Sequence, residues 1–174
     1  MKKVSLDSVK AHFRQWNREQ DIMEFETSSA TVEQAADTIG VLPARIAKTL
    51  SFRGEDDKAI LIVAAGDAKV DNKKFRQVFG FKARMLTPDE VLENTGHMIG
   101  GVCPFGLKKD LDVYLDVSLR RFQTIFPACG STNSAIELTI DELYEYSSAK
   151  GWIDACKGWE EGAETQEKVS ADLA

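Results

Sequence analysis

The chain has 174 residues, 43% of them hydrophobic and 29% charged, and a formal net charge of −6. A chain of this length buries one sizeable core, and its acidity argues against unselective binding of nucleic acid, because phosphate contacts need Lys and Arg. We therefore expect one domain over residues 1–157, with its core in residues 20–150, and an acidic, flexible tail over 158–174.

The basic residues are concentrated in the middle of the chain. Residues 42–109 contain twelve Lys or Arg against eight Asp or Glu, whereas residues 137–174 contain three against ten. A local basic face is therefore expected in spite of the negative total.

Two features bear on the cellular compartment. No run of about 18 apolar residues is present to span a bilayer, and the first residues lack the apolar stretch of a secretory signal. The three cysteines make an odd number and form no C-x-x-C pair, which favours reduced thiols over a disulfide framework or a zinc site. The sequence thus predicts a cytoplasmic protein with no membrane partner.

The first predicted element is an amphipathic helix. Ser5 or Asp7 can cap it, and Val9, Phe13 and Trp16 recur at the three- and four-residue spacing of one helical face. We expect this face to dock on the rest of the domain.

A strand, a helix and a hairpin are predicted next. Residues 22–26 alternate as a half-buried strand does, and a capping box at residues 31–34 begins a helix that Gly40 ends. After a turn opened by Pro43, the hairpin consists of strands at residues 46–52 and 59–65 around a charged turn at 54–58. Its second strand is continuously apolar, which is typical of a strand covered on both faces.

Three more helices are predicted from their caps. Asp71 begins a helix that Gly80 ends, Thr87 begins a helix over residues 88–94, and Thr139 begins the last core helix. The remaining strands are expected at residues 83–86, 113–117, 123–126 and 134–138, and the glycine-rich stretch 96–109 is expected to be an ordered loop.

This order of elements predicts an α/β (α+β) protein with a mixed sheet rather than a doubly wound one. No G-x-G-x-x-G or G-x-x-x-x-G-K-[ST] motif is present, which removes the usual dinucleotide and P-loop interpretations.

The histidines and cysteines offer little chemistry. His12 and His97 are the only histidines, and neither has metal-ligand spacing. His12 falls on the exposed side of the first helix, whereas His97 lies beside the glycine loop, where it can take a catalytic role or form a dyad with Cys103. The alternative for Cys103 is a small buried thiol next to Pro104.

Lys48 raises a sharper question, because it interrupts the predicted strand at 46–52 with an ammonium group. Desolvating an isolated charge costs several kcal/mol. Lys48 is therefore either an edge lysine whose ammonium reaches solvent or a cation that lines a ligand pocket. Thr49 adds a hydroxyl, which in a strand points to the opposite face unless the chain bends there.

The loop "GGVCPFG" at residues 100–106 is the second candidate feature. Glycines let the main chain come close to a ligand, and free N–H groups can bind a carbonyl oxygen or an oxyanion. A structural turn without a ligand explains the same composition.

Three sequence blocks resemble one known family. They are "SSATVEQAADTIGVLPARIAKTLSF", "GGVCPFGLKKDLDVYLDVSL" and "ACGSTNSAIELTIDEL", at residues 28–52, 100–119 and 128–143. Their order and spacing are similar to those of the YbaK/prolyl-tRNA-synthetase-associated editing domain family. The resemblance implies a mixed, partly barrel-like sheet surrounded by short helices, and hydrolysis of mischarged aminoacyl-tRNA.

The resemblance also implies the site residues. The family's lysine falls on Lys48, its G-x-x-x-P loop falls on residues 100–104, and water or the ribose hydroxyl of the substrate is the implied nucleophile, with no metal and no cofactor. The implied catalytic residues are Lys48, Gly100 and Gly101. The implied substrate-binding residues are Thr49, Val102, Cys103, Pro104, Gly130, Ser131 and Thr132.

The chain departs from the family pattern at three places. Thr132 stands where some members have a histidine, Ala135 stands where YbaK-like members have an aspartate, and Cys103 stands where small hydroxyl residues are common. These differences bear on the substrate more than on the reaction. Ser131 and Thr132, with Asn133 behind them, remain candidate donors.

The leading hypothesis is a trans-editing deacylase that removes a small amino acid from mischarged tRNA. Its expected partner is the aminoacylated 3′ end of tRNA, and an aminoacyl-tRNA synthetase is a second candidate partner. One alternative is a non-catalytic module that binds a nucleotide or aminoacyl group or docks on a synthetase. Another is a hydrolase of small esters or thioesters. These patterns leave the oligomeric state open.

Overall fold

The centre of the domain is a six-stranded mixed sheet. The computed structural model describes residues 2–160, and side chains from residue 5 onward. The strands of this sheet are, in spatial order, β8 (Leu138–Thr139), β6 (Thr124–Pro127), β2 (Ile46–Arg53), β3 (Ala59–Ala65), β5 (Asp112–Asp116) and β9 (Gly151–Ile153). Two small sheets pair β1 (Met23–Glu24) with β7 (Ser134–Ala135), and β4 (Lys69–Val70) with β10 (Cys156–Lys157).

The described residues also form five α-helices. Capping boxes begin three of them, at Thr31, Thr87 and Thr139. The Asp71 carboxylate caps a fourth by accepting hydrogen bonds from two main-chain N–H groups. The helices are α1 (Lys2–Arg14), α2 (Val32–Ile39), α3 (Asn72–Phe79), α4 (Pro88–Thr95) and α5 (Ile140–Tyr146).

Strand directions make the sheet mixed. β2 pairs antiparallel with β3 along its whole length, whereas it pairs parallel with β6 only at residues 46–47. β3 pairs parallel with β5, and β5 pairs parallel with β9. The predicted mixed, partly barrel-like sheet surrounded by short helices is confirmed.

The core lies on both faces of β3, all seven residues of which are buried. Leu61 and Val63 belong to the larger apolar cluster, whereas Ile60 and Ile62 belong to a smaller cluster with Phe75. The expectation from its apolar sequence is confirmed.

The first helix docks as predicted, but its beginning was predicted wrongly. Val9 and Phe13 are fully buried in the larger cluster, yet the helix begins at Lys2 rather than after Ser5 or Asp7. Ser5 is buried and donates its hydroxyl to Nδ1 of His97, so its oxygen serves a tertiary contact instead of a cap.

Other differences concern short strands. Residues 83–86 form one bridge, between Met85 and Phe52, instead of a strand. Residues 134–138 divide into β7 and β8, and the predicted strand at 22–26 shrinks to two residues. The sequence analysis did not predict β4, β9 or β10.

The predicted tail is described over its first three residues only. The Trp159 ring lies 4.9 Å from the Arg121 guanidinium, and an Arg121 N–H donates to the carbonyl oxygen of Glu160 at 2.8 Å. Residues 161–174 lie outside the described part of the chain. Within residues 2–160, no helix is long and apolar enough to cross a membrane.

Candidate active site

The site lies where one edge of β2 is left without a neighbouring strand. Pairing with β6 stops at Ala47, and the next main-chain contact on that edge is the Leu86 N–H, which donates to the Ser51 carbonyl oxygen at 3.1 Å beside the bridge from Phe52 to Met85. A cavity of about 290 Å³ lies against the open stretch between them, residues 48–50. The gap in the sheet therefore positions the cavity.

Six segments complete the wall of the cavity. They are the start of α2 with the residues before it, the segment after α3, α4, the glycine-rich loop, the end of β6 with the residue after it, and β7. Apart from β2, the lining residues include Thr31, Val32, Met85, Leu86, Val91, Ile99, Gly100, Val102, Ala128, Ser134 and Ala135.

Lys48 lies in this wall with a half-buried side chain. Its Nζ donates to the Gly66 carbonyl oxygen at 3.4 Å. Burial lowers the pKa of Lys48 below its usual 10.5, while the nearby Cys156 and Asp67 act in the opposite direction. The ammonium is thus held against the Gly66 carbonyl oxygen rather than extended into bulk solvent.

The turn that holds this ammonium is itself anchored. Asp67 follows Gly66 and accepts two hydrogen bonds from the Arg121 guanidinium, at 2.9 and 2.6 Å. The Arg121 side chain is 2% exposed, and its Nε also donates to the Ser118 carbonyl oxygen. A buried ion pair thereby fixes the residue next to the carbonyl that accepts from Lys48.

The glycine loop reaches the cavity through Gly100 and Val102. The N–H groups of these two residues have no hydrogen-bond acceptor among the residues that the structure describes. The Gly101 N–H, in contrast, donates to the Met98 carbonyl oxygen at 3.0 Å. Gly100 and Val102 therefore retain unpaired main-chain donors in the part of the loop that lines the cavity, and Gly101 does not.

Gly101 has a packing role. A Cβ added there would lie 2.8 Å from Gly130 C and 2.8 Å from Ser131 N, so the loop and the third sequence block touch main chain to main chain. Gly130 and Ser131 lie behind the loop and are not part of the cavity lining. The Ser131 hydroxyl donates to Ser134 Oγ at 2.6 Å.

The other residues of the predicted site lie outside the cavity lining. The Thr132 side chain packs against Gly100, and the Thr132 carbonyl oxygen accepts a hydrogen bond from the Ser29 N–H at 2.6 Å. Pro104 is buried. Cys103 is fully buried, and burial raises its pKa to about 12. The thiol is thus kept protonated and away from the cavity.

His97 is also fully buried, with both ring nitrogens occupied. Nε2 donates to the Phe105 carbonyl oxygen at 2.8 Å, so Nδ1 is the acceptor for the Ser5 hydroxyl. Cys103 Sγ lies 3.6 Å from Nε2. Burial lowers the pKa of His97, and the neutral ring ties α1 to the glycine loop.

Thr49 lines the cavity beside Lys48. Its Oγ1 is buried and has no hydrogen-bond partner, and no other described side chain has a buried oxygen or nitrogen in that condition. A buried hydroxyl without a partner is uncommon in a native structure.

Two exposed apolar side chains line the cavity, and exposed basic residues precede one of them in the sequence. Met85 and Ile99 line the cavity and are each 60% exposed. Lys82 and Arg84 precede Met85, are exposed, and form no ion pair with the residues that are described. Residues 82–84 lie within the stretch for which the sequence predicts a basic face.

Sequence reasoning did not identify several of these groups. Gly66 and Asp67 carry no motif, and Arg121 lies 54 positions from the carboxylate that it binds. One departure from the family pattern lies in the site. Ala135, at the position where the resemblance implies an aspartate in YbaK-like members, lines the cavity. No group of three or more His, Cys, Asp or Glu within the described residues could hold a metal ion.

Comparisons with known proteins agree with one family. A family model for the aminoacyl-tRNA editing domain matches residues 26–146. YwhH of Bacillus subtilis strain 168, an uncharacterized protein, is 75% identical over 157 residues, which cover 90% of this chain and 100% of YwhH.

Two further relatives carry functional descriptions. EbsC of Enterococcus faecalis, described as a candidate Cys-tRNA(Pro)/Cys-tRNA(Cys) deacylase, is 27% identical over 69% of this chain and 74% of its own. The crystal structure of a candidate trans-editing enzyme for prolyl-tRNA synthetase superposes with a TM-score of 0.80 and 30% identity, and covers 88% of this chain and 98% of that one.

Proposed function

The chain belongs to the aminoacyl-tRNA editing domain family, and from that premise we propose that it is a trans-editing deacylase of mischarged aminoacyl-tRNA. The observation that carries the proposal is the cavity at the gap in the sheet, which Lys48 lines together with the unpartnered N–H groups of Gly100 and Val102. Because relatives are described as acting on Cys-tRNA(Pro) or for prolyl-tRNA synthetase, Cys-tRNA(Pro) is the first substrate to test.

The chemistry needs little more than these groups. Hydrolysis of an aminoacyl ester develops negative charge on the carbonyl oxygen, and preorganised N–H donors stabilise that charge by a few kcal/mol. In this proposal Gly100 and Val102 supply the donors. The Lys48 ammonium holds the phosphate or ribose end of the terminal nucleotide. Water attacks the ester carbonyl, either directly or after the acyl group has moved to the neighbouring ribose hydroxyl, and the ribose oxygen leaves as a hydroxyl with the proton that the water loses.

The two predicted catalytic glycines take different parts in this proposal. Gly100 acts at the cavity, whereas Gly101 keeps the loop seated against residues 130–131. Exposed Lys82 and Arg84 next to the cavity mouth favour the approach of the tRNA backbone, so the affinity for tRNA should fall as salt rises.

One observation supports a second candidate, a binding module without turnover. Ala135 and Thr132 stand where some members of the family have an aspartate and a histidine, and the wall at Ala135 therefore offers no carboxylate. Such a module would capture an aminoacyl group or dock on a synthetase. The synthetase partner and the cytoplasmic location stay predictions.

A deacylation panel tests the proposal. The full chain is incubated under single-turnover conditions with Cys-tRNA(Pro) and with separately prepared alanyl-, cysteinyl-, seryl- and threonyl-tRNA, and release of the amino acid is followed. We expect release from at least one of them, and a loss of about a hundredfold or more in Lys48→Ala. Lys58→Ala is the matched control, because Lys58 is an exposed lysine in the turn between β2 and β3. No release from any tRNA by the wild-type chain would favour the binding module.

A further inference from the structure

The open edge of β2 presents the main chain of Thr49 to the cavity. Successive residues of a strand direct their N–H and C=O groups to alternate edges. The Arg53 N–H bonds the Arg84 carbonyl oxygen at 2.8 Å on the edge away from β3, so the odd-numbered residues of β2 face that edge. Ala47 meets β6 there, but Thr49 has no main-chain partner among the described residues.

Thr49 therefore carries three polar groups without a partner within residues 2–160: its N–H, its C=O and its buried Oγ1. Much of the nearby cavity wall is apolar, with Leu86, Val91 and Val102 among the lining residues. Unsatisfied polar groups at the edge of a strand are a template for another segment that offers a donor and an acceptor.

We propose that the aminoacyl group of the substrate binds to Thr49 as a strand of one residue. The α-amino group donates to the Thr49 carbonyl oxygen, and the Thr49 N–H donates to the ester carbonyl oxygen. An α-aminoacyl group has its donor and its acceptor on the same N–Cα–C=O unit as a residue in a strand. The arrangement is that of one hydrogen-bonded pair in an antiparallel ladder, with Cα atoms about 5.5 Å apart.

This inference rests on the proposed function and specifies its substrate class. An α-aminoacyl ester makes both bonds, whereas a simple carboxylic ester lacks the donor for the Thr49 carbonyl. In this proposal the Thr49 N–H is a further donor for the ester carbonyl, in addition to those proposed for Gly100 and Val102, which line the same cavity. The site then distinguishes an aminoacyl group from an ordinary acyl group before it reads the side chain.

Binding of two stable analogues tests the inference without turnover. The probes are 3′-amino-3′-deoxyadenosine acylated with L-alanine and the same nucleoside acylated with propionate, which lacks only the α-amino group. We expect the alanyl analogue to bind about tenfold or more tightly, as a hydrogen bond with a charged partner implies. We also expect the Thr49 amide to exchange rapidly with solvent in the free protein and slowly with the alanyl analogue bound.

Two variants separate the main chain from the side chain. Thr49→Val removes the hydroxyl and keeps the N–H, and should preserve the preference for the alanyl analogue. Thr49→Pro also removes the N–H. This N–H does not bond β3, so the sheet should tolerate the substitution. Binding of the alanyl analogue to this variant should be about tenfold weaker than to the wild type. If Thr49→Pro does not fold, amide exchange in the wild-type chain decides.

The outcomes keep this inference apart from the proposed function. Equal dissociation constants for the two analogues, or undetectable binding of both, with unchanged exchange at Thr49 would overturn the inference even if deacylation is observed. A clear preference for the alanyl analogue in a chain that releases no amino acid would support this subsite and refute the proposed catalysis.

Discussion

Replacing Asp67 with alanine should destabilise the domain, because it leaves the Arg121 guanidinium buried without its carboxylate. The Arg121 side chain is 2% exposed, and two hydrogen bonds of 2.9 and 2.6 Å join it to Asp67. Breaking such a pair costs about 3–5 kcal/mol. Since Asp67 is 29% exposed and water can reach the vacated site, we expect the lower figure. At about 2–4 °C per kcal/mol, Tm should fall by about 6–12 °C.

Thermal and urea unfolding of the full chain measure this loss against Asp154→Ala. Asp154 also forms an ion pair, with Lys74 at 3.0 Å, but the two side chains are 59% and 37% exposed. An exposed pair contributes about 0–1 kcal/mol, so this control should change Tm little. Deacylation should also fall in Asp67→Ala alone, because the turn next to Lys48 loses its anchor. Equal losses of stability in the two variants would refute the reasoning.

Three further predictions concern the cavity, the loop and the thiols. Lys48→Met should abolish deacylation yet unfold no more easily than the wild type at neutral pH. Burial lowers the pKa of Lys48 in the folded state, so the charged ammonium reduces the free energy of unfolding at neutral pH. This reduction disappears only as the pH rises towards 10.5, the usual pKa of lysine. Gly101→Ala should lower the free energy of unfolding in urea by about 1–3 kcal/mol, because the added Cβ would lie 2.8 Å from main-chain atoms. Gly151→Ala is the control and should change the free energy of unfolding little, because nothing lies within 4 Å of its added Cβ. Cys103, Cys129 and Cys156 are buried, and burial raises the pKa of each thiol. Iodoacetamide should therefore label none of them in the native chain and all three after unfolding. Labelling of the native chain would contradict the raised pKa values.

Local signals account for the parts of the fold that are predictable from sequence. Each capping box is complete within four residues, and the β2–β3 hairpin joins neighbouring segments. The strands that were missed have no such signal. β9 has three residues and forms because residues 151–153 meet β5 in parallel register, and β10 forms by pairing with β4 across the chain. Tertiary contacts, not local propensity, decide elements of this length.

The residues of the site also divide into those that local sequence signals reveal and those that depend on tertiary contacts. Lys48 is recognisable because a charge in the middle of an apolar strand needs a reason, and the glycine loop is recognisable from its composition. The anchor from Asp67 to Arg121 is not, because neither residue stands out within its own segment. The exposure of the Thr49 main chain depends on where β6 stops pairing with β2, and no pattern inside β2 records that.

Two unfavourable features of the described structure lie next to each other at this gap. Lys48 holds a partly desolvated charge, and the adjacent Thr49 has unpaired main-chain groups and an unpaired hydroxyl. Folding alone would select apolar residues at both positions and a partner strand along the edge. A ligand with an anionic end and an α-aminoacyl end would compensate both residues at once, since they are neighbours on one strand. The aminoacylated terminus of a tRNA carries both ends on a single nucleotide, which is why we regard the gap in the sheet, rather than any one side chain, as the feature that defines the site.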